Sequence, residues 1–373
     1  MGRAIKKMGS LFLFFLGIRG KERVDVAYRP KVTVIVPAYD EEKSIADTIK
    51  SIQAQTYPID SLIVVDDCSG DKTGEVAQSL GATVIRTPRN TGTKAKAQNF
   101  ALQHVNTDVV VTVDADTTLD PKAIEIVIPH LADGKTLSAC GFVIPKRIKS
   151  FWEKARLVQY LYYIGLNKAA QAYWRVPLVS SGCFSAYNTK MLKAMGGFPE
   201  GTIVEDMVLT WRGHLEGKKT KFCPKAVCYP KDPSNWKQYK GQMMRWNRGF
   251  LQCIAISRLG LLKNIRLAFF VSWYLLSGII NPLLWGWLLW YLASRLYQSH
   301  PYFFLFFFGL FLEIIIVFSV VVIMGIRYKY LKLALVSFPY YWIIAPLDSL
   351  LFLNALIQEW LLGRKLQTWV KGH

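Results

Sequence analysis

The chain has 373 residues, and 46 Lys and Arg against 26 Asp and Glu give it a formal net charge of +20. Apolar residues make up 52% and charged residues 19%, which excludes a disordered or fibrous protein and argues against a wholly water-soluble one. The six Cys form no CxxC pair, so we predict free, mostly packed thiols in a reducing compartment.

The N-terminal segment, residues 1–30, surrounds a short apolar stretch with basic residues. That stretch, residues 11–18, is too short to span a bilayer. We predict a helix that lies in the membrane surface, with Lys6, Lys7 and Arg19 facing anionic headgroups. A frayed tail is the alternative.

From residue 31 onward, strands rich in Val and Ile alternate with helical segments. KVTVIVPAYDEE predicts a strand and a loop, SIADTIKSIQAQ predicts a helix, and SLIVVDDCSGD predicts a strand that ends in acids. This alternation is typical of a parallel sheet covered on both faces. Such sheets bind ligands at the carboxyl ends of their strands. We therefore predict one α/β domain over residues 31–260.

A membrane region, residues 261–373, follows with three apolar runs at about 267–294, 301–326 and 333–358. The first two runs are long enough to span a bilayer. The third carries Asp348 and two prolines, so it could be a full span or a re-entrant or interfacial segment. We predict a re-entrant or interfacial segment for the third run.

Basic residues flank the first two runs on the side of the α/β domain, and they are Arg258, Lys263, Arg266, Arg327, Lys329 and Lys332. Because positive charge favours the inner side of a membrane, we predict that the α/β domain is cytoplasmic. Lipid headgroups and anionic phosphates account for the net charge. Without a nucleic-acid-binding motif, nucleic acid is not an expected partner.

Acids follow two predicted strands. Asp114 and Asp116 are separated by one residue and point to the same side of an extended chain. A divalent ion that bridges a diphosphate needs one or two such carboxylates; a solvated acidic turn is the alternative. Asp66 and Asp67 end the earlier strand and could accept hydrogen bonds from a base or ribose, or form an Asx turn or a helix cap.

Two further groups lie on predicted helices. Glu205 and Asp206 begin a helix, where one carboxylate could be a general base or merely a cap. Gln242, Arg245 and Trp246 lie at i, i+3 and i+4 and so share one helix face. Arg pairs with diphosphate oxygens, and Trp offers a flat surface to a sugar. The alternative is an amphipathic helix at the membrane surface with a snorkelling Arg.

Taken in order, the motifs VTVIVPAYDEE, VVDDCSGD, DAD, EDMVLTW and QMMRW resemble the family 2 glycosyltransferases. The resemblance is narrower to the membrane branch that includes the cellulose, chitin and hyaluronan synthases, and it covers residues 31–260. It implies a GT-A fold, which is a Rossmann-like nucleotide-sugar domain with a mostly parallel sheet, followed by C-terminal transmembrane helices.

The resemblance also implies roles for individual residues. Asp206, beside Glu205, would be the catalytic base, although Val204 stands where a threonine is usual. The residues implied to contact the UDP-sugar donor are Pro37, Tyr39, Glu41, Asp66, Asp67, Lys94, Asp114, Asp116, Gln242 and Arg245. Of these, Asp114 and Asp116 would hold Mg²⁺ or Mn²⁺. Trp246, Ser181 and Gly182 would line the acceptor site, although an ordinary tight turn also explains the last two.

The Lys94 assignment leaves an alternative open. One extra residue, Thr93, interrupts the usual Asn-x-Gly-Lys-Ala pattern, and Lys96 lies nearby.

The implied function is inverting, metal-dependent transfer of N-acetylglucosamine or glucose from a UDP-sugar to a growing β-linked polysaccharide. One alternative is single-step β-glycosylation of a membrane lipid. A second is a transporter or membrane scaffold whose nucleotide-sugar domain is inactive. The expected partners are the donor, a glycan or lipid acceptor and the bilayer. A homo-oligomer is a further possible partner, because two or three spans in one chain would form only a narrow channel for passage of the polysaccharide through the membrane.

Overall fold

A computed structural model describes Asp25, residues 27–293, residues 301–364 and Leu366. The predicted surface helix near the N-terminus lies outside the described residues. All six Cys fall within them and are free thiols, as predicted, and four are buried.

Eight strands form one sheet in the described part of the chain. They are β1 (Val32–Ala38), β2 (Ser61–Asp66), β3 (Thr83–Arg86), β4 (Val109–Val113), β5 (Thr118–Leu119), β6 (Thr136–Val143), β7 (Phe184–Asn188) and β8 (Lys219–Tyr229). Their order is β3-β2-β1-β4-β7-β6-β8-β5. The first four strands in this order pair in parallel, as predicted from their continuous Val and Ile runs. β7 pairs antiparallel with both β4 and β6, so the sheet as a whole is mixed.

Helices cover both faces of the sheet and confirm the α/β class. They are α1 (Ile45–Gln53), α2 (Thr73–Ser79), α3 (Lys94–Leu102), α4 (Ala123–Val127), α5 (Phe151–Gln159), α6 (Ala169–Tyr173), α7 (Thr189–Ala194), α8 (Glu205–Leu215) and α9 (Trp236–Leu261). A 3₁₀ turn, Ile128–Leu131, follows α4, and a π-helix, Tyr160–Lys168, joins α5 to α6.

A capping box begins α5. The Ser150 hydroxyl accepts a hydrogen bond from the Glu153 backbone N–H at 3.2 Å, and the Glu153 carboxylate accepts one from the Ser150 N–H at 2.8 Å. Two N–H groups at the start of the helix are thereby satisfied. The helix carries Arg156 and Gln159 inward, and both side chains are buried.

Three long apolar helices follow: α10 (Ile265–Ala293), α11 (Pro301–Arg327) and α12 (Leu331–Leu356), the last continued by a π-helical turn, Ile357–Leu361. The segments Ile265–Trp287, Phe308–Arg327 and Leu331–Leu361 are long and apolar enough to cross a membrane. α12 continues through Pro339 and Pro346 without a break.

The third apolar helix contacts the α/β domain at both ends and in the middle. Just before it begins, the Tyr328 hydroxyl donates a hydrogen bond to a backbone carbonyl of β8 at 2.6 Å. In its middle, Asp348 accepts a hydrogen bond from the Gln159 side chain at 2.5 Å. Beyond its end, Glu359 accepts one from the buried Arg248 side chain of α9 at 2.7 Å. α12 therefore lies along the domain.

Candidate active site

The candidate site lies where the carboxyl end of β4 meets the start of α3, the start of α8 and the loop before β7. Asp114 directly follows β4, and Lys94 is the first residue of α3. The Lys94 ammonium forms ion pairs with Asp114 and, at 3.7 Å, with Glu205 of α8. It also donates a hydrogen bond to the Gly182 carbonyl at 2.9 Å. Lys94 thus joins Asp114, which belongs to the candidate metal-binding pair Asp114 and Asp116 (the metal motif), to Glu205 at the start of α8.

The charged side chains at this site shift one another's pKa. Burial lowers the pKa of the Lys94 ammonium, but Asp114 and Glu205 outweigh that effect and hold the pKa well above its ordinary value. Burial raises the pKa of the Glu205 carboxyl to about 7, although the charge of Lys94 opposes the rise. Burial also raises the pKa of Asp114, while Lys94 and Arg245 lower it. Arg245 is therefore close enough for its charge to act on the metal motif.

Asp206 is oriented by two backbone N–H groups. One carboxylate oxygen accepts a hydrogen bond from Gly182 at 2.8 Å, and the other accepts one from Met207 at 2.8 Å. A Cβ atom on Gly182 would lie 2.9 Å from the Asp206 carboxylate and 3.3 Å from the Lys94 ammonium. Only glycine allows the backbone to approach both groups so closely. The structure thus brings the predicted base and the predicted acceptor loop into contact.

Protein groups already engage the acids at the end of β2. One oxygen of Asp66 accepts a hydrogen bond from the Ser69 backbone N–H at 2.8 Å, and the other pairs with Arg86. Asp67 accepts hydrogen bonds from the Thr91 backbone N–H at 3.0 Å and from its hydroxyl at 2.9 Å. The Asp66 contact to Ser69 is a local turn of the kind left open by the sequence. Contact of either acid with a donor stays a prediction.

The loop after β1 lies beside these acids. Pro37 is within β1 and aligns with Val65 of β2, next to Asp66. The Glu41 backbone N–H donates a hydrogen bond to the Thr73 hydroxyl at 2.7 Å, which ties the loop to the start of α2. Tyr39 is 36% exposed. The predicted donor residues of this loop therefore gather at the same end of the sheet.

Gln242 and Trp246, on the face of α9 predicted from the QMMRW motif, both contact Arg156 of α5. The Gln242 side-chain oxygen accepts a hydrogen bond from Arg156, and the Trp246 ring centroid lies 5.0 Å from its guanidinium. Arg156 is buried and forms an ion pair with Asp232 at 3.4 Å. It also lies 4.9 Å from the ring centroid of Tyr239. Arg156 therefore supports two of the three residues of this motif.

Neither Arg156 nor its ion-pair partner Asp232 could be selected from the sequence alone. Residues 151–174 are basic and rich in aromatic side chains, and their spacing does not single out one cation. Asp348 was noted only as an interruption of the third apolar run. Its oxygens accept hydrogen bonds from Tyr239 at 2.6 Å and from Gln159 at 2.5 Å. A lone carboxylate in an apolar run was the available indication.

The predicted acceptor loop has a second lysine contact. The Lys168 ammonium, at the end of the π-helix, donates a hydrogen bond to the Ser181 hydroxyl at 2.6 Å. The Ser181 carbonyl accepts one from the Ser185 hydroxyl at 2.8 Å. Both contacts fix Ser181 next to the Gly182 amide that touches Asp206.

The donor groups of the metal motif are all oxygens. Asp114 and Asp116 supply two carboxylates, and Asp116 accepts a hydrogen bond from the Thr117 hydroxyl at 3.2 Å. No cluster of three or more His, Cys, Asp or Glu side chains suited to a metal occurs among the described residues. Two carboxylates suffice where diphosphate oxygens and water complete the coordination of Mg²⁺ or Mn²⁺. The residues present therefore fit a hard cation that arrives with its substrate.

Residues 33–196 match the family model described as Glycosyl transferase family 2. Residues 33–196 therefore form a family 2 glycosyltransferase domain, which confirms the resemblance of the motifs to this family.

Two curated relatives extend this finding. The chain is 29% identical over 240 residues to the probable glycosyltransferase YdaM of Bacillus subtilis, and this match covers 61% of this chain and 57% of YdaM. It is 25% identical over 252 residues to the poly-β-1,6-N-acetyl-D-glucosamine synthase of Staphylococcus aureus, and this match covers 65% of this chain and 61% of the synthase. The matches thus span less than two thirds of either relative.

A solved structure shares the fold over nearly the whole chain. It is the mannosyltransferase PcManGT from Pyrobaculum calidifontis in complex with GDP-Man and Mn²⁺. The TM-score is 0.65 at 20% sequence identity, and the match covers 95% of both chains. The predicted GT-A fold is confirmed by this likeness.

Proposed function

We propose that the protein is an inverting, metal-dependent glycosyltransferase that extends a β-linked polysaccharide at the membrane from a UDP-sugar. N-acetylglucosamine is the first candidate sugar because one relative is a synthase of an N-acetylglucosamine polymer. The observation that carries the proposal is the Lys94 ammonium, which contacts Asp114, Glu205 and the Gly182 carbonyl at once. It joins the proposed donor end of the site to the acceptor loop and to the helix start at Glu205, which lies next to the candidate base Asp206.

Asp206 has the position of a general base. Two backbone N–H groups orient its carboxylate, and each oxygen keeps a lone pair with which to accept a proton from an acceptor hydroxyl. The hydroxyl then attacks the anomeric carbon from the face opposite the leaving nucleoside diphosphate. This single displacement inverts an α-linked donor to a β-linked product, and no covalent enzyme intermediate is needed.

Cations of the chain would stabilise the leaving group. Asp114 and Asp116 would hold the divalent ion, which when bound offsets negative charge on the diphosphate. The Arg245 guanidinium lies close enough to lower the pKa of Asp114, so it can pair with diphosphate oxygens at the same place. Lys94 keeps Asp114 and Glu205 together and thereby preserves the spacing between the donor and the base.

The acceptor sugar would lie against Trp246. Its ring contacts the buried Arg156, which fixes the orientation of the indole, and the half-buried indole would present its accessible surface to a sugar ring. Ser181 and Gly182, of which Gly182 contacts Asp206, would border the acceptor on the side of the base. The acceptor hydroxyl is thereby brought to the base by groups from α5, α9 and the loop before β7.

Nucleotide release from the detergent-solubilised full chain tests the proposal. A panel of UDP-sugars and GDP-mannose is supplied with Mg²⁺ or Mn²⁺, and the products are sized by chromatography. We expect release of UDP with one UDP-sugar, and a loss of at least about 100-fold in Asp206→Asn with UDP binding retained. Near-normal turnover of that variant would remove Asp206 as the base, and release with GDP-mannose alone would overturn the UDP assignment.

The length of the product decides the acceptor. A long β-linked glycan supports the polysaccharide proposal. Transfer of one or two sugars to a lipid would replace it with glycolipid synthesis, while the assignment of the donor and the base would stand.

A further inference from the structure

A cavity of about 280 Å³ lies at the end of α8 remote from Asp206, where α9 meets α10. His214 and Lys218 line it from α8 and the turn that follows. His214 follows Asp206 by eight positions in the same helix, which places the cavity roughly 12 Å from the candidate base along the helix axis. The cavity is therefore distinct from the proposed active site.

Four of the side chains that line the cavity are cations, namely Arg175, Lys218, Lys263 and Arg266. No acidic residue is among the described residues that line it. None of the four cations forms an ion pair with any other described residue. Like charges gathered around one concave surface repel each other and attract an anion. The positive charge of this cavity therefore favours binding of a negatively charged ligand.

The surface beside the cavity is apolar and exposed. Leu262 is 84% exposed and Ile265 is 81% exposed. Ile265 also lines the cavity and begins the first candidate membrane segment, Ile265–Trp287. Trp174, adjacent to the cavity residue Arg175, is 47% exposed, and Trp is enriched at membrane interfaces. The cavity thus lies where a bilayer surface would begin.

We propose that this cavity binds the phosphate headgroup of an anionic membrane lipid. The four cations would surround the phosphate, and the acyl chains would lie along the exposed apolar residues at the start of α10. A soluble phosphate compound would satisfy the cations but would leave Leu262 and Ile265 uncovered. The combination of unpaired cations with adjacent exposed apolar side chains therefore favours a lipid.

The lipid would brace the segment that leads to the acceptor loop. In that segment the Leu178 carbonyl accepts a hydrogen bond from the Trp211 indole at 2.9 Å, and the Pro177 carbonyl lies 2.9 Å from the His214 ring. Both partners belong to α8. A headgroup held between Arg175 and Lys218 would join this segment to the turn after α8 from outside. The lipid is a bound partner and does not react, so the inference does not depend on which sugar is transferred.

Native mass spectrometry of the detergent-solubilised full chain tests the inference by titration with phosphatidylglycerol and, separately, phosphatidylcholine. We expect preferential binding of phosphatidylglycerol to the unchanged chain. The double variant Arg175→Gln, Lys263→Gln should bind it about 30-fold more weakly, because each cation near an anionic lipid contributes about fivefold. A second pocket variant, Lys218→Gln with Arg266→Gln, should behave in the same way.

The matched control is Arg258→Gln with Lys332→Gln, which removes two exposed cations that do not line the cavity. Unchanged binding in this control supports the pocket. Equal weakening in the control and the pocket variants would show diffuse surface attraction and would overturn it. Displacement of the lipid by inorganic phosphate at low millimolar concentration would assign the cavity to a soluble phosphate and overturn the lipid assignment.

Discussion

The Lys94 side chain contacts polar groups from three separate parts of the chain. Asp114 follows β4, Glu205 begins α8, and the Gly182 carbonyl belongs to the loop before β7. A buried ammonium is stable only when opposite charges and acceptors replace the water it loses. Here two carboxylates and a carbonyl do so. The exposed Lys96, two residues away, makes no such contact with these groups.

Replacing Lys94 should therefore disable the site. In Lys94→Met, the pKa of Glu205 should rise beyond about 7 because the charge that lowers it is gone. Asp114 and Glu205 would also lose the group that holds them together. We expect at least a hundredfold loss of nucleotide release, measured with saturating donor and metal.

The matched control is Lys96→Met, which removes the same charge from an exposed position of the same helix. It should retain near-normal activity. If the two variants lose activity equally, Lys94 has no special role and the alternative lysine left open by the sequence regains its place.

Between elements, a buried polar cluster connects α5, α9 and α12. Arg156 of α5 contacts Gln242 and Trp246 of α9, and Tyr239 of α9 donates its hydroxyl hydrogen bond to Asp348 of α12. Because the members share partners, a change in one element reaches the QMMRW face through short contacts. The cluster positions α9 relative to the third apolar helix.

Replacing Arg156, the cation at the centre of this cluster, should lower the stability of the protein. Arg156→Met removes one partner of the buried Arg156–Asp232 ion pair, and such a loss costs about 3–5 kcal/mol. We expect a clear fall in the melting temperature in detergent and a loss of acceptor use.

Arg147→Met provides the comparison for this effect. Arg147 also pairs with a carboxylate, that of Glu153, but its side chain is 60% exposed. An ion pair with an exposed cation contributes about 0–1 kcal/mol, and the buried Glu153 carboxylate keeps its hydrogen bonds from the Lys149 and Ser150 backbone N–H groups. The melting temperature should therefore hardly change. Similar destabilisation by both variants would contradict the assignment of Arg156 as the centre of the cluster.

At the scale of the whole molecule, α12 and the α/β domain stay in contact from one end of the helix to the other. Its length and composition would allow it to cross a membrane. Its contacts with β8 near its start and with Arg248 beyond its end place both ends against the same domain. A helix held at both ends by one water-exposed domain favours an interfacial position, and we predict that the chain leaves this helix on the same side of the membrane as that domain.

Reporter fusions test this arrangement in a bacterial host. A fluorescent protein joined after His373 should fluoresce, and alkaline phosphatase at the same position should be inactive, because both report a cytoplasmic end. Phosphatase joined after Gln298, between the first two apolar helices, should be active and serves as the control. An active phosphatase after His373 would show that α12 crosses the membrane.

Local pattern in the sequence was sufficient for the elements and for the positions of the acids. Continuous Val and Ile runs produced β1, β2 and β4, because a strand buried on both faces needs apolar side chains at every position. The acid pairs at the ends of β2 and β4 follow from the same runs. The spacing of Gln242, Arg245 and Trp246 also placed them on one helix, since the helical repeat is local.

Only the tertiary structure decided which of these groups meet. Lys94 and Gly182 are 88 residues apart in sequence, and Gln159 and Asp348 are 189 residues apart. No local period encodes such pairs, because they depend on the strand order and on how α12 lies against the domain. The sequence by itself therefore determined the fold class and the chemical groups available. The packing of distant elements determined which lysine, which arginine and which carboxylates act on one another.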